Sequence, residues 1–183
     1  MSTVGTTAGT SLLSLHTYVS GLREGGFERI LERLPPEHAS ALRGIILPNR
    51  RYPTAALLAA VEAAQAEFGP AFAEEYGEWA AHYAIHSFFR FLLKFKTPTW
   101  VIGRVMRMWR SYHDTGEWDV EMANKRFRGT LRDFCGVSAI YCRYLRAWFT
   151  TAGRMTGATN ITLQHTECRA SGADACVFVG SWD

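Results

Sequence analysis

The residues best suited to chemistry in this 183-residue chain are four soft-metal donors near its end. His165-x2-Cys168-x7-Cys176 forms one short run, and Cys142 stands 26 residues before Cys168. Thiolate and imidazole are preferred zinc donors, and four of them close a tetrahedral structural site. Gly172 lies midway between Cys168 and Cys176, and a turn there brings the two cysteines nearly opposite each other. Directly paired Cβ atoms lie about 4.5–5.5 Å apart, so both sulfurs can share one ion. His165 meets an objection, because in a regular strand residues 165 and 168 point to opposite faces. It joins the site only if the strand ends or bulges near Thr166-Glu167. Cys135, the fourth cysteine, is excluded. On a helix shared with Cys142 it would lie about 10.5 Å away along the axis, too far for two sulfurs each about 2.3 Å from one ion. The competing reading is that all these cysteines are small buried hydrophobes.

Other side chains invite a functional reading against a plainer one. Glu78, His82 and His86 recur at one-turn spacing on a helix, as in zinc-protease helices. The protease motif needs Glu directly after the first His, where this chain has Tyr83. A polar stripe on an amphipathic helix is the plainer reading. Phe91, Trp109, Tyr141, Tyr144 and Trp148 belong to a dense aromatic set that also includes Phe88, Phe89, Phe95, Trp100 and Phe149. They are either core or the lining of an apolar ligand pocket. Arg104, Arg107 and Arg110, followed by Lys125, Arg126, Arg128 and Arg132, form a solvated face or a docking surface for an acidic partner. His113-Asp114 supplies an acid and a base, but adjacency in sequence does not bring two side chains together. There is no G-x-S-x-G elbow, Walker loop or dinucleotide fingerprint. A closed four-ligand zinc site leaves no open position for a substrate.

The elements that must position these residues read as helices first and strands later. Residues 1–10 are Ser, Thr and Gly with little to bury and read as a flexible tail. GGFERILERLPPEH gives a short helix stopped by Pro35 and Pro36. A second short helix covers about 37–44, and LPNRRYP is a connector. Thr54 caps TAALLAAVEAAQAEF. Pro70 opens a helix reaching about Phe95, and Pro98 opens another to about His113. EWDVEM then alternates as a half-buried strand, turns at Asn124-Lys125, and RFRGTLRDF returns. Residues 136–152 are helical and end at Gly153; TNITLQHTEC and ACVFVGSW form a second hairpin. Helices followed by hairpins imply α+β: a helical N-terminal half packed on a four-stranded antiparallel sheet, two hairpins separated by a helix. Residues 11–183 read as a single domain.

Composition excludes several classes. With 48% hydrophobic residues, a chain of this length buries a core without disulfide staples. No apolar run approaches a membrane span, and no secretory signal is evident, so a reducing cytoplasm is expected. Residues 1–92 carry 7 bases and 9 acids, residues 93–183 carry 13 and 8. That excess is too small to announce a nucleic-acid binder.

The tail HTECRASGADACVFVGSW resembles the end of 4-vinyl-reductase-type domains. These small-molecule-binding modules occur in phenol-responsive activators and bacteriochlorophyll biosynthesis. They share a fold with haem-nitric-oxide-binding domains and TRAPP small subunits. Their zinc-binding members carry a Cys, then Glu-x2-Cys-x7-Cys. This chain matches at Cys142, Cys168 and Cys176 and departs at the Glu, where it has His165, itself a zinc ligand. The resemblance spans roughly 97–183. The N-terminal half, with LERLPPEHASALRGIILP and RYP, resembles a large myxobacterial paralogous family of unknown function. What the resemblance implies is a non-enzymatic sensory domain for a small hydrophobic ligand, a structural zinc and a homodimer; with no DNA-binding or ATPase module in the sequence, the signal is expected to pass to a separate protein partner. The rivals are an interaction scaffold with a filled pocket, using the basic segment 104–132, and a metal enzyme on the Glu78/His82/His86 face.

Overall fold

A computed structural model describes residues 5–88 and 98–183, with backbone alone at 85–88, 98 and 101. The helical half comprises α1 (Gly9–Leu22), α2 (Gly26–Arg33), α3 (Pro36–Leu42), α4 (Thr54–Phe68), α5 (Phe72–Phe88) and α6 (Pro98–Tyr112). Leu34, preceding Pro35, is extended at φ −81°, ψ 148°, because a following proline disfavours the helical region. Buried Ala56, Leu57, Ala60, Val61 and Ala64 recur at helical spacing and bury α4 among its neighbours. Glu67 at its end accepts from Arg23 at 2.9 Å and Arg33 at 2.9 Å, tying α4 to the first two helices.

The strands β3 (Glu117–Ala123), β4 (Arg126–Arg132), β5 (Thr162–Glu167) and β6 (Cys176–Ser181) form one antiparallel sheet in the order β3-β4-β6-β5. The expected α+β architecture is therefore what the chain adopts. Asn124 and Lys125 close the first hairpin at φ 50° and 57°, the positive values that a two-residue turn between twisted strands requires. Trp118, Val120, Met122, Phe127, Leu131 and Phe178 join the core. Between the hairpins runs α7 (Ala139–Met155), capped by Ser138, whose side chain accepts from Tyr141 N.

Helix α7 also lies directly against α5. A Cβ on Gly77 would meet the Tyr144 carbonyl at 2.4 Å and Ala147 Cβ at 2.9 Å. Backbone cannot move aside as a flexible side chain can. Gly77→Ala is therefore expected to destabilise by about 1–3 kcal/mol despite its better helix propensity, measured by urea unfolding. A stabilised variant would show that the two helices separate freely.

Several local expectations change. Residues 6–10 are not a tail: β1 (Thr6–Ala8) pairs with β2 (Arg51–Pro53) inside the supposed LPNRRYP connector, and α1 begins at Gly9. The reason is long-range. Asp114 accepts from Thr6 N at 2.7 Å and Thr6 Oγ1 at 2.6 Å, and Arg51 bonds Thr6 Oγ1 at 3.1 Å. Thr54 does not cap α4, since Pro53 holds the cap position and Thr54 is buried in the first turn. Gly153 lies inside α7, and Gly157 at φ 86° follows its cap instead, the position that favours glycine. The part of the α5 expectation covering 89–95 lies outside the described residues.

Candidate metal centre and apolar cavity

Four side chains from three elements converge at the start of α7. Cys142 is in its first turn, His165 is on β5, Cys168 follows the end of β5, and Cys176 opens β6. Their ligand atoms all lie within 4.8 Å of one another. Among the described residues, this is the cluster of donor side chains close enough to hold an ion. The objection to His165 is met by a bulge. His165 pairs with Phe178 and Glu167 with Val177, and the register shifts between them. The extra residue turns the strand so that positions 165 and 168 face the same point. The loop then folds tightly. Ser171 N and Ala173 N both donate to the Cys168 carbonyl, at 2.9 and 3.1 Å, and Gly172 takes φ 91°.

The geometry suits a tetrahedral ion better than a disulfide. Cys142 and Cys176 sulfurs are 3.6 Å apart, against about 2.05 Å for a bond between them. A tetrahedron with 2.3 Å arms has edges of about 3.8 Å. Cys142 and Cys176 are buried, Cys168 and His165 half-buried. The His165 ring stacks on Phe178 at 4.5 Å, and its buried Nε2 has no hydrogen-bond partner among the described residues. Cys142 donates its S–H to Cys176, which holds the Cys176 thiol below the ordinary cysteine range and the Cys142 thiol above it. Arg169 N donates to Cys176 Sγ at 3.5 Å, further favouring thiolate there. A thiolate already favoured, an imidazole with a spare nitrogen and a closed donor set fit a structural zinc. Cys135 lies apart, near Gly5 and Thr115, where a Cβ on Gly5 would strike its sulfur.

A cavity of about 50 Å³ lies between α6, α7 and the β5–β6 hairpin. Met106, Phe127, Trp148, Phe149, Leu163 and Trp182 are among its walls, and among the described residues no charged side chain lines it. Of the aromatics expected to form a pocket, Trp148 is there. Trp109 packs on His113 at 4.2 Å and donates its indole N–H to the Thr115 carbonyl. Tyr144 stacks between Tyr76 and Tyr141, and Tyr141 bonds His113. Phe91 lies outside the described residues. Tyr144 and Phe149 are five residues apart, about 140° around a helix, so one faces α5 while the other faces the sheet. Helical spacing from Trp148 through Phe149 to Ala152, all lining the cavity, was the signal that singles out the correct flank.

The remaining candidates stay apart. Glu78 and His82 are on an exposed face, and the His86 side chain is outside the described residues. Asp114 binds Thr6 while His113 is buried against Tyr141, so the two make no acid–base pair. Arg110, Arg128 and Arg132 sit in exposed ion pairs with Glu117, Glu167 and Asp119, which contribute little. Among the described residues, no helix is long and apolar enough to cross a membrane.

No protein-family model and no curated protein matches the chain. Solved structures do. An H-NOX protein from S. oneidensis in its Fe(II)NO ligation state superposes with a TM-score of 0.70 at 16% identity, over 96% of this chain and 99% of that one. The chain has the H-NOX fold. Fe(II) unliganded H-NOX from K. algicida gives a TM-score of 0.68 at 12% identity, covering 96% of each chain. A mutant of T. Tengcongensis H-NOX gives 0.65 at 11%, over 96% of this chain and 97% of that one. This is the shared fold that the 4-vinyl-reductase resemblance implied.

Haem does not fit the H-NOX-like arrangement of the described residues. Haem iron takes His, Cys, Tyr, or Met opposite His, and among the described residues Met106 is the single such side chain lining the cavity. The buried His113 is enclosed by Trp109, Phe134 and Tyr141. The donor set present among the described residues is the Cys/His cluster, which could hold a soft metal ion.

Proposed function

We propose that this chain is a non-enzymatic sensory or binding domain for a small apolar molecule, with a structural zinc on Cys142, His165, Cys168 and Cys176. The observation that carries this reading is that one set of elements builds both features. Helix α7, β5 and β6 line the cavity and carry all four donors or flank them directly. An ion there staples the last helix to the last hairpin and so sets the width of the cavity between them. The neighbours' Fe(II) and Fe(II)NO states make small-molecule binding a use this fold already serves. In this chain the bound molecule is held by dispersion and burial rather than by iron. An engineered cavity of about 150 Å³ takes benzene, so the resident molecule here has only a few heavy atoms. The domain pairs with a second copy and passes its signal to a separate protein.

The test uses xenon and a panel of small hydrocarbons and phenols, followed by xenon NMR and thermal shift. At least xenon is expected to bind the wild type. Ala152→Phe, which fills the cavity from α7, is expected to abolish binding while leaving metal content intact. Binding unaltered in Ala152→Phe, or no response to any member of the panel, defeats the ligand part of this reading. The scaffold with a filled pocket then replaces it.

A further inference from the structure

Six buried side-chain polar atoms have no hydrogen-bond partner among the described residues, and three of them belong to neighbouring positions around β1: Thr7 Oγ1, Thr54 Oγ1 and His113 Nδ1. Thr7 and Thr54 are 0% exposed and His113 2%. The pairing places Thr7 and His113 on one face, and Thr54 follows the partner strand. Thr6 turns outward to Asp114 and Arg51, so strand alternation sends Thr7 inward. Thr7 is the register partner of Tyr52 on one side and bridges His113 on the other. Directly opposite residues share a face. Thr54 opens α4 directly after β2, with its amide donating to the Gly5 carbonyl at 2.9 Å. None of the three polar atoms bonds another among the described residues, so a bridging atom can serve all of them.

We propose that Thr7, Thr54 and His113 form a binding site for one neutral, water-sized molecule that both donates and accepts hydrogen bonds, occupied by water. Its three contacts match the usual number for a buried water. Each of the three groups otherwise bears the cost of burial without a bond. His113 has one ring nitrogen committed to the Tyr141 hydroxyl at 3.1 Å. In either tautomer the other nitrogen keeps one hydrogen-bonding valence. Burial, with Arg51 nearby, holds this imidazole neutral, and the charges of Arg51 and Asp114 are already bonded to Thr6. The site therefore selects a neutral guest. The bridged molecule joins β1, the start of α4 and the end of α6, and so completes the attachment of the N-terminal strand.

The experiment is a thermal-unfolding cycle on Thr7→Val, Thr54→Val and the double variant, with water-to-protein ROE spectra of the wild type. Each single variant is expected to lower Tm by about 2–8 °C. The double variant should fall by clearly less than the sum, because once one contact is gone the shared water is already weakened. The wild type is expected to show a long-lived water cross-peak to the Thr7 and His113 protons. Additive changes of either sign overturn the shared site. So does the absence of that cross-peak, which needs no variant to fold.

Discussion

Protein purified without a metal-affinity tag is expected to carry about one zinc per chain, and Cys168→Ser and Cys176→Ser to carry none. Elemental analysis decides this directly. Cys135→Ser is the control and should retain full metal, because its sulfur packs near Gly5 away from the cluster. The effect on stability should be large. A ligand present at a thousand times its dissociation constant and binding only the folded state adds about 4 kcal/mol. For a chain of this size 1 kcal/mol moves Tm by roughly 2–4 °C. Strong chelation of the wild type should therefore lower Tm by roughly 8–16 °C, and the cysteine variants should not respond to chelator. The metal competes with protons for thiolate and imidazole, so affinity must fall with pH. Substoichiometric zinc unaffected by Cys168→Ser would leave the three cysteines as buried hydrophobes and shift weight to the scaffold reading.

The second large effect is acid destabilisation through His113. Burial, the main cause, and Arg51 lower its folded pKa to about 3, against a small opposing pull from Asp114. An unfolded histidine titrates near 6.5. Between those values the unfolded chain binds a proton that the folded chain refuses. His113 therefore contributes stability that is fully present above pH 6.5 and is lost as pH falls toward about 3. The slope is about 1.4 kcal/mol per pH unit, and the whole window is worth on the order of 4–5 kcal/mol. Carboxylates act in the same direction lower down. Glu67, hydrogen-bonded by Arg33 and flanked by Arg29 and Arg23, is held below its ordinary range, so its contribution is lost only at lower pH. The diagnostic interval is therefore pH 5 to 6.5. Urea unfolding of metal-free wild type and His113→Gln across that interval should show the slope in the first and its loss in the second. Equal slopes would mean that the buried imidazole accepts a proton without unfolding.

The metal cluster was legible in the sequence because three of its members depend on local geometry. A short loop around Gly172 returns Cys176 to Cys168 wherever the hairpin sits in the fold, and the need for a bulge after His165 follows from strand alternation alone. The bulge is present, between His165 and Glu167. Cys142 was a candidate by residue type, and the resemblance supported it, but nothing local says which face of α7 meets the hairpin. The cavity was much less legible. Aromatic content gave its chemistry but not its members: Trp109, Tyr141 and Tyr144 went into stacks with His113 and Tyr76.

The N-terminal strand shows the same division most clearly. A run of Gly, Thr and Ala carries no burial signal, and its partners Arg51, His113 and Asp114 lie about 45 to 110 residues away in sequence. By itself the sequence determined the helix–hairpin order, the antiparallel pairing within each hairpin and the donor types at the chain's end. These follow from periodicity, turn residues and side-chain chemistry, which are properties of neighbours in the chain. Only the tertiary structure decided which aromatics enclose space, how Thr6–Ala8 is held, and that His113 is kept neutral in the interior. Those outcomes depend on which distant backbone groups and faces meet, and a burial penalty exists only once they have met.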